Sequence, residues 1–170
     1  VVDYAHSPFR SEEVDILLTA GCRFVVGTAS GYLGFPMIYH RPCLVTNVAT
    51  IGWPLWPTKD LMLPKLFREK ATGRYLTLTQ IFEQGLACLH YKQDVPSHLE
   101  LVDNTPQDLQ EGVKEMLRYT DDPAQCGVTV GASEAVQQHY HQVAVRYGGY
   151  TGNRLAGSFV KAHAEVFAVT

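Results

Sequence analysis

Gly27-Thr28-Ala29-Ser30-Gly31 places five small residues in a row after the apolar run Phe24-Val25-Val26. Small side chains leave main-chain N–H groups approachable from outside. Where a helix follows, its first N–H groups lack intrahelical acceptors and lie at the positive end of the helix dipole. An anion answers both needs, and a diphosphate can come close where side chains are tiny, with Thr28 and Ser30 adding hydroxyl donors. The run is neither G-x-G-x-x-G nor G-x-x-x-x-G-K-[ST], so it is not a dinucleotide fingerprint or a P-loop. A tight turn whose glycines merely let strand and helix pack closely accounts for the same residues, and that alternative stays open.

Other chemistry is thinner. His139 and His141 stand two apart, which on a helix points them to nearly opposite sides and prevents them from sharing an ion. No metal site is expected. Asp121-Asp122 is not a D-x-D, and Pro123 reads as a turn. Trp53 and Trp56 flank Pro54, placed either to stack on a base or sugar ring or to pack beneath their loop. No Ser-His-Asp or Cys-His arrangement is legible.

The elements that must position the turn follow from periodicity. Ser11 reads as an N-cap, with Glu12 and Glu13 in the first turn, Val14, Leu17 and Leu18 at helical spacing, and Gly21 as the stop. Arg23 to Gly27 reads as a buried strand, Gly31 to Tyr39 as a short helix broken or bent near Pro36, and Cys43 to Asn47 as a second strand. Strand, turn, helix and strand in so short a span make a βαβ unit and hence a parallel sheet. In open parallel sheets ligands bind beyond the carboxyl ends of the strands, where Gly27 to Gly31 falls.

Residues 48–63 read as an ordered irregular loop rich in proline and tryptophan. Leu78, Ile81, Phe82 and Leu89 share a helical face that Thr77 or Thr79 can cap, and Leu99 to Val102 reads as a strand. Thr105, Pro106 and Asp108 form an N-cap, a first-turn proline and a capping box, ahead of a buried stripe of Leu109, Val113, Met116 and Leu117. Val136, Tyr140, Val143 and Tyr147, then Phe159, Val160, His163, Val166 and Phe167, give two helical stretches around a glycine-rich break. The domain reading is an α/β unit over residues 1–130 with a helical C-terminal flank over 131–170.

The bulk properties narrow the class. The chain has 170 residues, 46% hydrophobic and 18% charged, enough for one packed core and unlike a disordered segment. A net charge of −3 with scattered basic residues argues against nucleic acid as a partner. No apolar run approaches the roughly 18 residues of a membrane span. Cys22, Cys43, Cys88 and Cys126 lie far apart, as reduced structural thiols do, which makes the cytoplasm the expected compartment. The chain opens Val1-Val2-Asp3 without methionine, as a fragment or processed piece does.

The run CRFVVGTASGYLGFPMIYHRPCLVTN, with DLMLPKLF (Asp60 to Phe67) and GRYLTLTQIF (Gly73 to Phe82), resembles a bacterial family regarded as glycosyltransferases. VDYAHSPFRSEEVDILLTAG and VDNTPQDLQEGVKEML fit the same pattern, so the resemblance covers residues 1–119. Its members are similar to the C-terminal, nucleotide-sugar-binding half of two-domain GT-B enzymes. The resemblance implies a Rossmann-like parallel sheet and a nucleoside-diphosphate sugar as substrate, with no separate cofactor. Carboxylate-bound metal is not the habit of that fold, which agrees with the missing D-x-D.

By that resemblance Thr28, Ala29, Ser30 and Gly31 match the loop that meets the donor diphosphate, and Asn47 faces the same crevice. Lys65 would neutralise phosphate charge on the leaving nucleoside diphosphate, unless it is a plain solvated lysine. Asp60 would bind a sugar hydroxyl or cap a helix. Arg10 and Arg23 are candidates for diphosphate pairing through their planar forks, Arg23 with a structural role as its stronger alternative. His40-Arg41-Pro42 departs from the family's G-x-P turn, so either the turn differs or His40 points into the crevice. The expectation is a donor-binding domain whose acceptor site and catalytic base lie on a further N-terminal domain or partner chain. The rival readings are a nucleotide-binding module without catalysis and a structural interaction domain.

Overall fold

The computed structural model describes residues 2–52, 60–89, 92–121, 132–149, 152 and 154–169. Trp53, Trp56, Asp122, Pro123 and Cys126 lie outside them. The element order is α1 (Glu12–Gly21), β1 (Val25–Thr28), a 3₁₀ turn (Gly31–Leu33) running into α2 (Gly34–Ile38), and β2 (Cys43–Val48). Then come β3 (Leu61–Pro64), β4 (Leu66–Glu69), α3 (Leu78–Glu83), β5 (Leu99–Val102), α4 (Pro106–Asp121), α5 (Glu134–Arg146), β6 (Arg154–Leu155) and α6 (Gly157–Ala162).

Four strands form a parallel sheet in the order β1-β2-β3-β6, and β4 pairs with β5 in a separate antiparallel ribbon. The fold is therefore α/β, a Rossmann-like parallel sheet flanked by helices. Leu44, Val45, Leu61, Met62 and Leu63 are almost wholly buried, the mark of central parallel strands covered on both faces. α4 lies so close to one face that a Cβ on Gly112 would come within 3.1 Å of Leu44 and 3.2 Å of Leu63. On the other face Leu33 packs beside Gly27, where an added Cβ would sit 3.4 Å away.

The caps form as the sequence implies. Ser11 Oγ accepts from Val14 N–H, Thr77 and Gln80 complete a capping box on α3, and Thr105 exchanges bonds with Asp108 at the start of α4. Arg23 closes the other end of α4. Its guanidinium donates to the Leu117 carbonyl and Thr120 Oγ1 and pairs with Asp121 at 2.6 Å. That is a structural role.

Six expectations are corrected. The strand after Cys22 is Val25–Thr28, only half-covered, with Val26 47% exposed, and among the described residues it is an edge strand paired with β2 alone. Leu117, at the end of the expected buried stripe of α4, is 40% exposed. Pro36 does not break its helix, since it sits in the first turn of α2, where its missing N–H costs nothing. Residues 61–64 are no loop but β3, the strand between β2 and β6, and Leu89 lies past the end of α3. The C-terminal tail is more than a helical flank, since Arg154–Leu155 extends the sheet against Leu61 and Met62.

That tail is tied in by polar groups too. The buried carboxylate of Glu115 accepts from Gly157 N–H and Ser158 N–H at 2.9 Å each and from Ser158 Oγ at 2.6 Å, capping α6. Asp108 Oδ1 meets His163 Nε2 at 3.0 Å, and the His163 ring stacks on Phe159.

Candidate functional site

Parallel strands bring their carboxyl ends to one edge of the sheet. Thr28 pairs with Thr46 and Val48 with Pro64, so the turn after β1, Asn47 and Lys65 stand along that edge. At a strand spacing of ~4.8 Å, the turn and Lys65 are roughly 10 Å apart.

In the turn, Ser30 is extended (φ −151°) and Leu33 N–H returns to the Ser30 carbonyl. The N–H groups of Gly31 and Tyr32 have no protein acceptor among the described residues. Thr28, Ala29, Ser30 and Gly31 are all exposed. A Cβ on Gly27 would touch Leu33 at 3.4 Å, an ordinary contact, and one on Gly31 would meet nothing within 4 Å, so close packing requires neither glycine.

Asn47 is held in a left-handed conformation, φ +54°, at a register shift between Val45 and Val48. Such a bulge bends the strand out of its ladder, and a non-glycine residue there carries strain that its surroundings must hold. They do so through Asn104. Asn47 N–H donates to Asn104 Oδ1 (2.6 Å), Asn104 N–H donates to Asn47 Oδ1 (2.7 Å), and Asn104 Nδ2 donates to the Pro64 carbonyl (2.8 Å). Asn104 is the residue that sequence reasoning missed. Its place after a predicted strand and before a capping box was the available signal.

Lys65 is anchored by its N–H to the Val48 carbonyl, and its ammonium pairs with Asp103 at 2.5 Å. It is neither bare nor freely solvated, and an anion would have to share it with that carboxylate. Arg10 is exposed in the segment leading into α1 and has no ion pair among the described residues.

Two predicted crevice residues are at the wrong end of the sheet. Asp60 precedes β3, where its Oδ1 accepts from Cys43 N–H at 2.8 Å, at the amino edge. Burial pushes its carboxyl up to about 6 against the pull of that N–H. Beside it the Cys43 thiol is pushed up to about 12 by burial, then by Asp60 and Cys22, which makes it a poor nucleophile. His40 also precedes β2 and ends α2. It is left-handed (φ +53°), with His40 N–H bonded to the Met37 carbonyl and Arg41 N–H to that of Pro36. That is a Schellman ending with histidine where glycine is usual.

Between α1 and the 3₁₀–α2 segment lies a groove of about 300 Å³ lined by Glu12, Asp15, Ile16, Tyr32 and Phe35. Its two carboxylates oppose an anion inside it, and it adjoins the turn through Tyr32, whose side chain lines the groove. No group of three or more His, Cys, Asp or Glu among the described residues is placed to hold a metal ion. His139 Nε2 is buried with no hydrogen-bond partner. No helix among the described residues is long and apolar enough to cross a membrane.

Compared with family models, curated proteins and solved structures, the chain shows no significant match to any of them.

Proposed function

We propose that this chain is the nucleotide-sugar-binding domain of a GT-B-like glycosyltransferase. It would hold the donor's diphosphate at the turn Thr28–Gly31 and bind the leaving nucleoside diphosphate while the sugar passes to an acceptor. The observation that supports this reading is the pair of unclaimed amides at Gly31 and Tyr32, one strand from the strained Asn47 at the carboxyl edge. Lys65 would add charge where negative charge develops on the leaving group, with Asp103 fixing its reach. Asp60 and His40 have no part in the site. Acceptor and catalytic base would come from another domain or chain.

The test is thermal stabilisation by UDP-, GDP- and ADP-glucose, each titrated to millimolar concentration. A ligand at a hundred times its Kd stabilises by about 2.7 kcal/mol, so one of the three should raise Tm saturably. Ser30→Trp, in an exposed position, should abolish that rise and leave the ligand-free Tm within a degree or two. No response to any of them would sink the donor-site reading. Binding without glucose release or transfer, even with the remaining domains supplied, would favour a nucleotide-binding module without catalysis. The exposed apolar side chains of α1 and α2 favour a second reading, a domain that also docks a partner.

A further inference from the structure

Most of the exposed large hydrophobics among the described residues fall between Phe9 and Tyr39. Leu17 is 68% exposed, Leu18 50% and Ile38 66%, although the apolar spacing of α1 is that of a buried helix. The groove of about 300 Å³ lies on another face of α1, that of Glu12, Asp15 and Ile16, with Ile16, Tyr32 and Phe35 as its apolar lining. Tyr32 and Phe35 present two tilted rings 5.9 Å apart. Glu12 and Asp15, one helical turn apart on one face, supply the remaining walls and have no ion pair among the described residues.

We propose that this groove docks a basic amphipathic segment of a partner polypeptide. A lysine or arginine head would sit between Glu12 and Asp15 and its stem on Ile16, with the segment's apolar side chains covering Tyr32 and Phe35.

The charge pattern selects this occupant. Carboxylates beside aromatic faces favour a cation that brings apolar surface with it, as a long basic side chain does. α1 carries Glu12, Glu13 and Asp15 in its first turn and no basic residue in its last. An anionic lipid surface is repelled by that set. The groove is also preformed. Thr19 Oγ1 and Tyr32 Oη lie 2.5 Å apart, and Arg41 Nε donates to the Ala20 carbonyl at 2.7 Å, so α1 and α2 are braced at two points. The inference is independent of any nucleotide at the sheet edge.

The test uses a fluorescein-labelled 14-residue Leu/Lys amphipathic helix and its Leu/Glu counterpart, read by anisotropy at 50 and 300 mM NaCl. Amide shifts of the ¹⁵N-labelled protein locate the contact. Saturable binding of the Leu/Lys peptide alone is expected, weaker at high salt, with shifts confined to residues 12–18 and 32–38. The Glu12→Lys/Asp15→Lys double variant should weaken it at least tenfold. The neutral Glu12→Gln/Asp15→Asn pair should weaken it less and guards against a folding defect, which circular dichroism checks. Binding that is absent, indifferent to charge reversal, or matched by the Leu/Glu peptide overturns the proposal. So does sedimentation showing a dimer that Leu17→Asp dissolves, or protection of the same amides by phosphatidylserine vesicles.

Discussion

Asn47 and Asn104, 57 residues apart, each donate a main-chain N–H to the other's side-chain oxygen, at 2.6 and 2.7 Å. This exchange fastens the bulged end of β2 to the loop that opens α4, and Asn104 Nδ2 reaches on to the Pro64 carbonyl at the end of β3. Three segments of the sheet edge are thus set by one amide side chain. Asn104→Ala leaves the Asn47 N–H and Pro64 carbonyl without these partners and should cost about 2 kcal/mol in urea unfolding. Asn104→Asp, which keeps the acceptor and loses the donor, should fall between. A loss under about 0.5 kcal/mol for the alanine variant would mean that the edge is held by something else.

Asp60 should make stability fall as pH rises through the mildly acidic range. Its carboxyl is raised to about 6 when folded, chiefly by burial, from an ordinary value of 3.8. Between those values the folded chain keeps a proton that the unfolded chain has released, so this group favours folding at low pH and opposes it above about 6. Asp60→Asn retains an acceptor for Cys43 N–H and carries no charge. The variant should match the wild type near pH 4 and exceed it in urea midpoint at pH 7.5. Equal midpoints at both pH values would remove Asp60 as the cause.

The left-handed His40 gives a stabilising substitution. Its ring is exposed and forms no hydrogen bond among the described residues, while its backbone carries the strain of the Schellman ending. His40→Gly should raise stability by about 0.5–1 kcal/mol, and His40→Val should lower it by more than about 1 kcal/mol. Thermal melts of the two variants should lie on opposite sides of the wild type.

Glu115 should be costly to truncate. Its carboxylate takes three hydrogen bonds at the start of α6. Glu115→Ala should cost about 2–3 kcal/mol and speed hydrogen exchange at Gly157 and Ser158, with Glu115→Gln intermediate. Unchanged exchange at those two amides would contradict the capping role.

The sequence announces some of these features far better than others, and the reasons are local. Ser11, Thr77 and Thr105 were readable as caps because an N-cap is settled by residues within one turn. β3 was hidden because Leu61 to Pro64 is too short to show a period and follows a proline-rich run. The placement of Asp60 and His40 depends on strand direction. Both precede a parallel strand, so the topology that brings Thr28, Asn47 and Lys65 together carries those two to the far edge. Leu117 misled because periodicity reports which face is apolar and says nothing of what covers it.

The pairing of Arg154 and Leu155 with Leu61 and Met62 bears on how the chain is made. During synthesis β3 waits with one flank unsatisfied for the more than ninety residues that separate it from its last neighbour. A nascent chain can fold β1 to β3 but cannot finish the sheet until residue 155 has cleared the ribosome. Through that interval the raw side of LMLP is the surface that trigger-type chaperones, or a second unfinished copy, would meet.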